Sequence, residues 1–215
     1  MSGELAVIVL GVFLALVADA WREAQVDSRR ETEYLRSLTS EVERSISSID
    51  DVIRDDSANA ARSVTMIRLL STTDPPEDSG WRSSLGLAAG GATLATATVR
   101  TLMSTGDIRL IRSDSLRVAI VDLAGSLEAH LTWVAQFDQM DNDVLQRQIV
   151  ELETIAAMAG WPDTIPIASY RGRPSLTAAY RIHVAALRTK VGLWRELRPA
   201  FERVRDLIPA DRLDR

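Results

Sequence analysis

The apolar positions of this chain change character along its length. Leu5 to Ala18 read LAVIVLGVFLALVA, fourteen uncharged positions between Glu4 and Asp19. Beyond Trp21 the apolar residues narrow to one face. Leu35, Leu38, Val42, Ile46, Ile49 and Ile53 recur at steps of three and four, the spacing of a helical stripe. No Pro or Gly interrupts residues 12–74, so one helix is predicted from the apolar run to about Leu70. Asp55-Asp56-Ser57 is where that helix would fray, kink or divide in two. Pro75, Pro76 and Gly80 then stop it.

Leu85 to Val99 carries no charge and consists mostly of small residues. Gly90-Gly91 costs a helix about 2 kcal/mol, so a loop leading into a short helix is predicted. Small residues also allow close backbone approach to a partner helix. Thr98 to Ser104 reads as that short helix, ended by Gly106, with Asp107–Ile111 extended or irregular after it. Ser113-Asp114-Ser115 supplies the next N-cap. A long helix follows from Ser115 to Ala159, with the stripe Leu116, Ile120, Leu123, Leu127, Leu131, Val134, Phe137, Val144, Ile149, Leu152 and Ile155. Gly160-Trp161-Pro162 ends it. The last helix starts near Ser175, carries Tyr180, Val184, Leu187, Val191, Trp194, Phe201, Val204 and Ile208, holds Pro199 as a kink point, and stops at Pro209.

No strand is predicted. The expected class is all-α: an N-terminal membrane-anchor helix continuing into an antiparallel bundle of three long helices and one short one. Residues 1–21 form the expected anchor and 22–215 the bundle domain, with loops near 71–97 and 160–174.

As a helix the fourteen-residue run is about 21 Å long, whereas a full bilayer crossing needs about 20 residues. Counting from Gly3 to Trp21 gives a marginal span, so crossing and half-insertion both fit. Leu5, Val9, Phe13 and Leu16 would meet lipid, and Trp21-Arg22 has the chemistry of a headgroup-level anchor. Two other readings compete. Ala18-Asp19-Ala20 resembles a signal-peptide cleavage site, but no Lys or Arg precedes the run. A buried core helix is the plainer alternative. Arg22, Arg29, Arg30 and Arg36 follow the run, which places the bulk of the chain in the cytoplasm under the positive-inside rule, on a bacterial inner membrane.

Charge and chemistry narrow the function. The chain has 25 basic and 30 acidic groups and a net charge of −5, which argues against a nucleic-acid partner. Residues 171–215 hold eleven basic groups against five acids, a net of +6 that leaves −11 for the rest. Pairing within the bundle would absorb most of that asymmetry, and a basic face toward headgroups or an acidic partner is the alternative. Arg188, Arg195 and Arg198 on the last helix, with loop residues Trp81 and Trp161, are the partner-interface candidates. Trp133 and Trp194 read as core.

The absence of cysteine excludes thiolate chemistry and disulfides. Gly90-Gly91-Ala92-Thr93 lacks the Gly-Lys-Ser/Thr of a phosphate loop. Asp138, Asp141 and Asp143 fail the EF-hand spacing and read as a solvated face. His130 and His183 sit beside the apolar stripes of different helices and read as boundary residues rather than a metal or haem pair. No catalytic, cofactor or metal residue is assigned, and an enzyme is not expected.

Two segments carry a family resemblance. One is Glu4 to Trp21 with Tyr34-Leu35-Arg36-Ser37-Leu38. The other is Thr101-Leu102-Met103-Ser104-Thr105-Gly106-Asp107-Ile108-Arg109-Leu110-Ile111 with Asp114-Ser115-Leu116-Arg117. Over residues 4–125 this order resembles a family of uncharacterised bacterial proteins with one N-terminal membrane segment and a helical domain. That resemblance implies a helix stop at Ser104-Thr105-Gly106, a plug of Ile108, Leu110 and Ile111, and a cap at Asp114. It brings no reaction or cofactor.

The expected function is therefore that of a non-catalytic accessory subunit. It would dock on and stabilise a larger bacterial membrane complex, of the photosynthetic or respiratory energy-converting kind. Its partners would be the bilayer and other subunits, and homo-oligomerisation is compatible with this. The alternative is a membrane-tethered helical sensor of a small ligand, which with one membrane segment would signal by dimerising.

Overall fold

A computed structural model describes residues 2–72, 91–158 and 167–209, leaving aside the side chains of residues 2–9, 12, 156 and 157. The described residues are helical, without a strand. Four helices follow in order: α1 (Ser2–Ser71), α2 (Ala97–Thr105), α3 (Asp114–Met158) and α4 (Pro174–Leu207), with 3-10 turns at Asp107–Leu110 and Ile167–Tyr170.

Helix α1 has 70 residues and is therefore about 105 Å long. It passes through Asp55-Asp56-Ser57 without a break, because nothing there removes a backbone donor and Asp56 turns inward. Glu31 meets Arg112, Asp56 and Asp138 share Lys190, and Met66 packs in one cluster with Ile155 and Tyr180. Residue numbers thus rise together along α1 and α3 and fall along α4.

Residues 91–113 return along α1, and polar side chains of α1 satisfy their backbone. Ser48 Oγ accepts the Thr93 amide at 2.9 Å. Ser45 Oγ accepts the Ala95 amide at 3.0 Å and donates to the Ala95 carbonyl at 3.2 Å. The buried Glu41 carboxylate accepts the Thr98 amide at 3.1 and 2.9 Å, so it caps the N-terminus of α2 from another helix. Gly106 ends α2 in the left-handed region at φ 76°. The segment expected to be irregular after it is instead a 3-10 turn. Asp107 there accepts the Tyr34 hydroxyl at 2.6 Å, and Glu31 Oε1 accepts the Arg112 amide at 2.7 Å.

Apolar packing forms two clusters. The larger, nearer the N-terminal end of α1, joins Leu35–Val52, Leu102, Ile111, Leu116–Val134 and Trp194–Val204. The smaller joins Met66, Leu70, Ile155, Ile167, Tyr170, Leu176 and Tyr180. Two residues expected inside the core lie outside it. Leu131 is 44% exposed and Trp133 55% exposed, because α3 meets its neighbours along one side only and both lie off that side. α4 continues through the exposed Pro199 to Leu207. The helix stop at Gly160-Trp161-Pro162 and most of the first loop lie outside the described residues.

Candidate functional site

Three features are neither plain core nor plain surface. The first is the start of α1. Among the described side chains of the helix the first buried one is Glu31, and every described side chain from Leu10 to Val26 is exposed. Phe13 is 62% exposed, Leu16 63% and Trp21 66%, and Arg22 is exposed beside it. Trp21 stands ten residues, about 15 Å, before the bundle. Leu5 and Val9 belong to α1 by backbone, and their side chains lie outside the described residues. Among the described residues the segment long and apolar enough to cross a membrane is Asp114–Ile155 of α3, which is internal rather than N-terminal. α3 also buries Leu116, Ile120, Leu123 and Asp141 against the bundle.

The second feature is a polar belt between the two apolar clusters. α1 contributes Asp56, Asn59 and Ser63, α3 contributes Asp138, Asp141 and Gln148, and α4 contributes His183 and Lys190. All but Asp138 are buried. Lys190 Nζ lies 2.6 Å from Asp138 Oδ1 and 3.6 Å from Asp56 Oδ2. His183 bonds through Nδ1 to Asp141 Oδ1, with neither side chain exposed. The belt contains three carboxylates and two bases in a dry environment, where each charge depends on its partner. Nearby, burial pushes the Tyr180 hydroxyl pKa well above its ordinary value.

The expectation of a solvated face at Asp138, Asp141 and Asp143 is corrected here. Asp141 is buried and Asp138 is turned to Lys190, while Asp143 is exposed. His183 is likewise interior rather than at a boundary. His130 is half-buried, bonded to the Ser126 carbonyl and 3.9 Å from Glu196. Among the described residues no group of three or more His, Asp or Glu is placed to hold a metal ion.

The belt had a signal in the sequence. Asp56 lies seven residues after Ile49, Asp141 seven after Val134, and Lys190 between Leu187 and Trp194. Each occupies a core position of its own stripe.

The third feature is a basic ridge on α4. Arg181, Arg188 and Arg195 are exposed at steps of seven, with Ala185 and Gly192 between them. None of the three takes part in the ion pairs among the described residues. Arg198 has a different place. Its Nε and Nη2 grip Asp50 at 2.7 and 3.1 Å, and Nη1 reaches Glu202 at 2.6 Å. The Arg198 hydrogen bond holds the Asp50 carboxyl below its usual range, and the same bond raises Arg198. Of the sequence candidates, Arg188 and Arg195 therefore share an open face, while Arg198 ties α4 to α1. Trp81 and Trp161 lie outside the described residues.

No protein-family model, no curated protein and no solved structure matches this chain.

Proposed function

We propose that this chain is a membrane-anchored, non-catalytic accessory subunit of a larger bacterial membrane complex. The observation that carries the reading is the start of α1, where apolar side chains leave the bundle with no protein around them. Exposed apolar surface of that extent in water favours a lipid or protein environment. Because α1 is continuous, the anchor and the bundle are one rod, and the bundle is held at a set height above the bilayer. The Arg181, Arg188 and Arg195 ridge then faces sideways, available to an acidic neighbouring subunit.

Mild-detergent extraction of native membranes, separation by native size and mass spectrometry of what co-migrates test the proposal. The expected result is stoichiometric travel with one defined complex. A partnerless, lipid-free monomer would refute it.

The buried belt favours a second reading, a tethered sensor. Ion pairs across three helices give a bundle a register that a bound ligand could bias. A ligand that binds the folded state would raise thermal stability by mass action.

A further inference from the structure

The polar belt divides the bundle into two halves of unlike interior. The near half, toward the start of α1, holds the larger apolar cluster, and its buried Glu41 and Ser45 are bonded to the backbone of Thr98 and Ala95. The far half holds the cluster of Met66, Ile155, Leu176 and Tyr180. Between that cluster and the bond of His183 to Asp141 lies a layer of polar groups. Ser63 stands one turn before Met66 on α1, Gln148 midway between Asp141 and Ile155 on α3, and Tyr180 one turn before His183 on α4. The Ser63 hydroxyl, both amide atoms of Gln148, the Tyr180 hydroxyl and Asp141 Oδ2 are buried without a hydrogen-bond partner. In the near half, among the described residues, only the Trp194 indole nitrogen and His130 Nε2 share that state, and His130 Nε2 is 3.9 Å from Glu196.

A buried donor or acceptor left unpaired costs the folded state more than a formed bond gains it. Water satisfies every one of these groups, and to reach them it must enter between α1, α3 and α4. At the near edge of the layer Lys190 pairs with Asp138 and Asp56 and so ties the same three helices together. His183 lies two turns, about 10 Å, beyond Lys190. The unpaired groups of the far half therefore stand on one side of a three-helix clasp, and the well-paired near half stands on the other.

We propose that the far half of the bundle opens as one unit, hinged at Lys190, while the near half stays closed. Parting the helices beyond Lys190 hydrates the whole layer in one step. The apolar burial lost from the Met66 and Tyr180 cluster is offset by the polar groups that gain water. Opening the near half has no such compensation, because Glu41 and Ser45 already have partners and the apolar cluster there draws on all four helices. Cooperative units of unequal stability within one fold are the general pattern.

The opening is a property of the bundle and stands whether or not α1 is held in a membrane. It is also the kind of two-state element that a ligand biases, so it deepens the sensor reading without depending on it.

The test is hydrogen exchange of the full chain in detergent, read segment by segment by mass spectrometry. Residues 59–70, 142–155 and 176–187 are expected to share one opening. They should be less protected than 35–52, 116–127 and 194–204 by about tenfold or more. Two conservative variants separate a local opening from a global one. Ile49→Val, in the near cluster, should lower near-half protection about two- to tenfold. It should leave the far half unchanged, because the near half is still closed when the far half exchanges. Tyr180→Phe deletes one oxygen atom and should raise protection in both halves about fivefold, because only the folded state is relieved of an unpaired group. Equal protection throughout, or a far half that falls with Ile49→Val, would show that the bundle opens only as a whole and overturn the proposal. Far segments that exchange independently of one another, or protection unchanged or lowered in Tyr180→Phe, would overturn it as well.

Discussion

Replacing Lys190 by Met removes the one cation that Asp56 and Asp138 share, with little change in side-chain volume. Lys190 and Asp56 are fully buried, and Asp138 retains 36% exposure. The wild-type ion pairs are not themselves a large source of stability, because desolvation of the charges offsets most of their attraction. Removing one member is different. It takes a charge partner from the buried Asp56 carboxyl, a change that costs about 3–5 kcal/mol in comparable sites. Asp138 can turn toward water and adds less. The full chain in detergent, unfolded with urea and followed by circular dichroism, would show this as a fall in midpoint at constant slope.

The double variant Lys190→Met/Asp56→Leu removes both charges and should recover most of the loss, since apolar replacement of a buried pair is often neutral. The reasoning fails if Lys190→Met costs less than about 1 kcal/mol, the range of a solvated pair. It also fails if the double variant is no better than the single.

Two further outcomes follow from the geometry. Arg198 holds the Asp50 carboxyl below its usual range, so the folded state binds this proton less readily than the unfolded chain. The contribution is present above the unfolded value of about 4 and disappears as pH falls through the lower folded value. With Asp50 43% exposed, screening limits it to under about 1 kcal/mol, and Asp50→Asn should flatten that part of the acid limb in a urea–pH series. Glu41→Ala should cost about 1–2 kcal/mol by loss of the α2 cap. It should also speed hydrogen exchange at the Thr98 amide, whereas an unchanged exchange rate would show that the cap does not form.

Much of the helical layout was legible in the residues alone. Uninterrupted spacing of three and four, together with Gly and Pro at the ends, located the end of α1, the start of α3 and both ends of α4 to within a residue or two, and Gly106 marked the end of α2. These are local properties, set by backbone sterics and by which face carries apolar side chains. The belt was only half legible. Asp56, Asp141 and Lys190 each stand on an apolar stripe, but a stripe does not say which charge it will meet. That depends on the heights at which α1, α3 and α4 align, and the alignment is set by the packing of the two apolar clusters.

The same limit applies to Glu41, Ser45 and Ser48. Along the chain they look like an ordinary polar face, and only the return of residues 91–98 gives them backbone groups to satisfy. It applies to the arginines as well, since Arg188, Arg195 and Arg198 are chemically alike in sequence. Asp50, 148 positions away from Arg198, is what separates them. By itself the sequence determined where helices form and which face of each carries the apolar stripe. Tertiary structure decided which polar groups meet, because those partners come from distant parts of the chain and exist only once the helices share one register.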